Sequence, residues 1–266
     1  MTDSDLRPGR VLAARILAWL LAVIAAVPMF GLIDLGTLFG LSDPRYEWPM
    51  SLEASWGALF TFFVAAGFGW GGALPARPWP GLVLVVLAAG GLALAGVVLA
   101  DGGPLWVAAV LGLAVGGLSL LLRHHAPAPR AFGRPAFGPG LIAPVLGVPL
   151  WLGYAWLSRA DAVAGVPGDV TNGIDHWPVQ VALGLAVAAG CVVHTCWAER
   201  LTLWRWAFAL TAGFVAYATL VFPERAGAMP HAAWGVAIAA WGVLAAALPP
   251  FRPAAGQLEP SRSVTA

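Results

Sequence analysis

Apolar residues run through this chain in eight long stretches, at 16–33, 54–74, 81–100, 104–122, 141–157, 179–197, 201–222 and 232–248, separated by short polar or Pro- and Gly-rich segments. Roughly 20 apolar residues in a helix cross the ~30 Å hydrocarbon core of a bilayer. The pattern therefore predicts an all-α polytopic membrane bundle of about eight transmembrane helices. Residues 81–122 as one helix would be about 63 Å long, twice that core, so the chain must fold back at Asp101-Gly102-Gly103, a turn-forming tripeptide. The fifth stretch carries Pro144 and Pro149, which predicts a kink.

The polar segments divide the chain. Residues 1–15 form a cytoplasmic N-terminal segment and 16–122 a first four-helix half. Residues 123–139 are a loop rich in Pro and Arg, 140–248 a second four-helix half, and 249–266 a polar tail read as disordered. The first apolar run is longer than the ~7–15 residues of a signal-peptide core, so it reads as an uncleaved span.

Composition agrees with this picture. The chain is 60% hydrophobic and 10% charged, against about 45–50% and ~25% in soluble domains. A net charge of +1 supplies no basic field for nucleic acid. All 14 basic residues are Arg, and without Lys there is no Schiff base for retinal or pyridoxal phosphate.

Arginine placement orients the bundle. With the N-terminus inside, the inner segments hold Arg7, Arg10, Arg15, Arg77, Arg123, Arg130, Arg134, Arg200, Arg205, Arg252 and Arg262, and the outer ones Arg45, Arg159 and Arg225. The expected location is the cell membrane, with both termini cytoplasmic and the lipid bilayer as partner. Trp48-Pro49 opens the second span and Trp177-Pro178 the sixth, which hints at a parallel 4+4 pseudo-repeat. With 14 Trp and 22 Pro, chance alone gives about one such pair, so the hint is weak.

Four residues form the candidate ligand- or ion-binding set: Asp34, Glu53, Asp175 and His176. Asp34 is flanked by apolar sequence, and an ionisable group near membrane depth is costly unless it works. It reads as lying toward the end of the first span, where the helix dipole opposes its charge. Glu53 opens the second span, and Asp175 and His176 open the sixth. Each has a plainer alternative: Glu53 as an acid complementing a helix start, Asp175 as an N-cap with Pro178 just inside the helix.

Other constellations are thinner. His176 and His231 lie at matched depth for haem or metal ligation. Cys191 and His194 share a helix face but lack a third ligand. No His-Glu-x-x-His, Gly-x-Ser-x-Gly or phosphate-binding Gly-Lys-Ser/Thr sequence is present. The leading expectation is a small-molecule or ion transporter with an outward-facing polar vestibule built from the four residues. The alternatives are an embedded enzyme acting on a lipid or isoprenoid, and a structural or assembly protein. Cofactor, ligand and oligomeric state stay open.

Overall fold

A computed structural model describes residues 7–41, 47–129, 141–197 and 202–247. The expected tail and most of the Pro/Arg-rich loop lie outside these residues. The helices are α1 (Arg7–Ala26), α2 (Gly31–Gly36), α3 (Met50–Ala73), α4 (Trp79–Leu99), α5 (Gly102–Leu122), α6 (Ile142–Val163), α7 (His176–Cys196), α8 (Thr202–Val221) and α9 (Ala232–Ala247). A two-stranded antiparallel hairpin, β1 (Val170–Thr171) and β2 (Ile174–Asp175), precedes α7.

Five segments are long and apolar enough to cross a membrane: Pro8–Ala26, Met50–Ala73, Trp79–Leu99, Gly102–Leu122 and His176–Cys196. Large apolar side chains such as Leu12, Ile16, Trp106, Leu113 and Val243 lie exposed on the outside of the bundle. A lipid-facing surface needs such residues, whereas a water-facing one avoids them in this number.

The long helices alternate in direction. At one end, Arg15 donates through Nε to Gly72 O at 3.2 Å, Trp79 through Nε1 to Pro127 O at 2.6 Å and Trp204 through Nε1 to Pro80 O at 2.7 Å. These bonds join α1 to the end of α3, the start of α4 to the segment after α5, and the start of α8 to the start of α4. At the other end lie the hairpin, the α4–α5 turn and the α8–α9 loop. There Gln180 Nε2 donates to Gly227 O at 2.8 Å. The α4–α5 turn forms where expected: Ala100 is left-handed and the Asp101 carboxylate caps α5 by accepting from Gly103 N.

Charge separates along the same axis. Asp34, Glu47, Glu53, Asp101, Asp161, Asp169, Asp175 and Glu224, all the acids among the described residues, sit at or near the hairpin end. Arg10, Arg15, Arg77, Arg123 and Arg205 sit at the far end, and Arg159 and Arg225 at the hairpin end.

Helix packing follows a paired pattern. In the first half α1 packs on α3, α4 on α5, and α1 on α5; in the second α6 packs on α7, α8 on α9, and α6 on α9. Across the halves α3 meets α8 and α4 meets α7. One contact departs from the pattern: α3 also packs extensively along α4, and α7 and α8 meet far less. The α4–α7 crossing is close because Gly91 has no Cβ, which would stand 2.5 Å from Ala182 O.

The first stretch departs from expectation. Instead of one helix over 16–33, α1 ends at Ala26, and the chain passes through Pro28 and a left-handed Phe30 before resuming as α2. Leu35 of α2 lies where a Cβ on Gly57 of α3 would fall, and Leu38 clusters with Met50 and Ala54, so α2 continues the path of α1 alongside α3. Proline supplies no N–H and disfavours a helical residue before it. The freed carbonyls find partners: Trp56 Nε1 donates to Met29 O at 2.7 Å, and Asn172 Nδ2, from the chain's one asparagine, to Pro28 O at 3.0 Å. Non-helical backbone at membrane depth persists only where protein groups satisfy it in this way. Beside the break, α3 widens into π-helical turns over Leu59–Ala65. Within α6, Pro149 stands inside a helix that runs without interruption from Ile142 to Val163.

Candidate functional site: a buried acid cluster beneath the hairpin

The break and the hairpin together build the site. Asp34 lies in the first turn of α2 and is 3% exposed. This reverses the expected dipole: a negative charge is favoured in the first helical turn and opposed in the last. Glu53 lies in the first turn of α3 and is 2% exposed. Its carboxyl group lies close enough to those of Asp34 and of Asp169, which lies just before β1, for their charges to act on one another.

His176, the first residue of α7, is fully buried, and its Nδ1 stands 3.5 Å from Glu53 Oε1. That separation is long for a hydrogen bond, and neither atom has another partner among the described residues. Asp34 Oδ2 is likewise without one. The far imidazole nitrogen, Nε2, lies 2.9 Å from Thr171 Oγ1 in the hairpin. Trp56 stacks on the imidazole with centroids 4.4 Å apart and an interplanar angle of 25°, which holds the ring against rotation. Backbone bonds fix the hairpin above: His176 N donates to Asp169 O at 3.0 Å and Val170 N to Asp169 Oδ1 at 2.7 Å.

Of the four expected residues, three converge: Asp34, Glu53 and His176. They lie in a closed interior and not along an open mouth. Asp175 does something else. Its Oδ1 accepts from Trp177 N at 2.9 Å and caps α7, with Pro178 inside the first turn. Burial pushes the Asp175 carboxyl above its usual range, the Trp177 amide opposes this, and Asp101 and Asp169 add to the rise.

Residues outside that set complete the picture. Asp169 and Thr171 reach the cluster from a loop whose sequence says only that a turn is there. A second polar centre lies deeper, between α3, α6 and α7. The Tyr154 hydroxyl is 2.6 Å from Ser55 Oγ and accepts from Gln180 Nε2 at 2.9 Å. Tyr154, Ser55 and Gln180 are all fully buried. A Tyr and a Gln inside otherwise apolar stretches were the available signal for it.

The thinner candidates gain little. His231 is exposed while His176 is buried. Among the described residues no group of three His, Cys, Asp or Glu side chains is placed to hold a metal ion, the Cys191–His194 pair included. The cluster thus brings buried carboxyl groups and an imidazole, all able to take up or release a proton, into one site. No family model, no curated protein and no solved structure matches this chain.

Proposed function

We propose that the protein is a proton-coupled membrane carrier of small molecules, with Asp34, Glu53 and His176 as its proton-binding centre. The observation that carries this reading is the juxtaposition of Asp34, Glu53 and His176 in a buried site that no Arg among the described residues faces. A permanent ion pair would need a cation there; a proton store needs carboxyl groups that can share and release a proton.

The step needs only water as its final acceptor. Glu53 gives its proton to His176 Nδ1, the proton on Nε2 passes to Thr171 Oγ1, and the Thr171 hydroxyl, half-buried in the hairpin, hands its own proton to water outside, leaving Glu53 as the carboxylate. One proton enters the imidazole and one departs, so the ring stays neutral overall. The 3.5 Å gap between Glu53 and His176 must close by about half an ångström, or be bridged by one water, for transfer. The broken α1–α2 segment beside the site supports this reading, because discontinuous helices recur at the binding sites of carriers.

The same reading places all eight long helices across the membrane, adding Ile142–Val163, Thr202–Val221 and Ala232–Ala247 to the five apolar spans. It puts the arginine-rich far end in the cytoplasm and the hairpin end outside. The paired helix contacts support a parallel duplication of four helices.

The test is proton uptake into liposomes holding the purified protein, driven by a potassium-diffusion potential and read with a trapped pH dye. Wild type should acidify the lumen faster than empty liposomes, and Glu53→Gln should not. Wild-type flux equal to that of empty liposomes, or undiminished flux through Glu53→Gln, removes the proton-carrier reading.

A further inference from the structure

We propose that a cavity at the far end, between the start of α1 and the end of α5, binds the phosphate of an anionic glycerophospholipid. The cavity has a volume of about 300 Å³ and is lined by Pro8, Val11, Leu12, Arg15 and His125. This site is separate from the acid cluster and does not depend on proton coupling; it rests only on the bundle lying in a membrane.

The level of the cavity comes first. Arg15 donates through Nε to Gly72 O at 3.2 Å, one residue before α3 ends at Ala73. His125 follows the end of α5 at Leu122, tied by its N–H to Leu122 O at 2.9 Å. Two spans thus end at this height while α1 continues past it from Arg15 back to Arg7, about 12 Å at 1.5 Å per residue. The cavity therefore opens where hydrocarbon gives way to headgroups.

Its chemistry is two-sided. The Nε bond to Gly72 fixes the guanidinium plane, and the terminal amino groups of Arg15 have no partner among the described residues. A planar guanidinium with free amino groups suits a phosphate, which accepts two parallel hydrogen bonds. No Asp or Glu among the described residues lies at this end to compete. Beginning at Leu12, one turn above Arg15, exposed Leu12, Ile16, Leu20 and Val23 follow one another along α1 past Arg15 toward the membrane core, at spacings that share one helix face. That strip gives an acyl chain a track leading from the cavity into the membrane core. Inorganic phosphate would use the guanidinium and leave the strip unused.

The test is native mass spectrometry of the full-length protein after detergent delipidation, followed by titration with phosphatidylglycerol or phosphatidylcholine. Wild type should keep one phosphatidylglycerol that Arg15→Gln loses, with affinity falling about tenfold, the size of one charge-assisted contact. Arg225→Gln, at the hairpin end, should retain it. If Arg15→Gln does not fold, Arg15→Lys should fold and bind with intermediate affinity. Equal retention by wild type and Arg15→Gln, equal binding of phosphatidylcholine, or displacement of the lipid by millimolar inorganic phosphate would each overturn the assignment.

Discussion

Glu53 Oε1 and His176 Nδ1 face each other across 3.5 Å in a site that excludes solvent, the one on the first turn of α3 and the other on the first residue of α7. Neither position is near the other in sequence, and neither atom has another hydrogen-bond partner among the described residues. A pair left unsatisfied in this way costs stability, so its persistence needs an explanation beyond packing.

His176→Phe separates packing from chemistry. Phenylalanine keeps a flat ring against Trp56 but is larger than imidazole, so thermal unfolding in detergent should show a loss of about 1–3 kcal/mol from overpacking without loss of the fold. The variant lacks Nδ1 and Nε2, and proton uptake into liposomes should fall to the empty-liposome rate. Uptake at the wild-type rate would take His176 out of the proton path.

Tyr154→Phe should destabilise the bundle by about 1–3 kcal/mol. The missing hydroxyl strands one N–H of Gln180 in a dry interior and takes from Ser55 Oγ its side-chain partner, leaving Ser55 only its bond to Ser51 O. Adding Gln180→Leu to it should recover part of the loss, because the stranded amide is removed too; the four thermal midpoints of a double-mutant cycle measure this.

Asp175→Ala should cost about 1 kcal/mol through the lost cap of α7, with Asp175→Asn costing a few tenths. Both should transport protons like wild type, since this carboxyl is committed to Trp177 N. A loss of flux in Asp175→Asn would return Asp175 to the proton-binding set.

Gly91→Ala should destabilise by about 1–3 kcal/mol, because its new Cβ meets the backbone oxygen of Ala182 and not a side chain that could swing away. Gly90→Ala, where a Cβ meets open space, should be neutral or slightly stabilising, since alanine favours helix. The pair compared by thermal unfolding tests the α4–α7 contact that joins the halves.

Orientation is tested by labelling. With Cys196 replaced by Ser, Asn172→Cys in the hairpin should react with a membrane-impermeant maleimide on intact cells, and Arg123→Cys only after lysis. The reverse result would invert the bundle.

The apolar stretches by themselves determined that this is a helical bundle with membrane-spanning segments, where most helices begin and end, and the fold-back at Asp101. Each of these depends on properties within a short window: a run of apolar residues long enough to cross hydrocarbon, or a Gly-Gly turn. Asp34, Glu53 and His176 were also legible as ionisable residues set against apolar sequence. Only the tertiary structure decided that they meet, that Asp169 and Thr171 join them, and that Asp175 does not. The reason is physical. Helices surrounded by lipid and protein are apolar on all sides and lack the periodic stripe that in a soluble helix reveals the buried face. Which way Glu53 points therefore depends on the break at Pro28, held open by Asn172 from far along the chain.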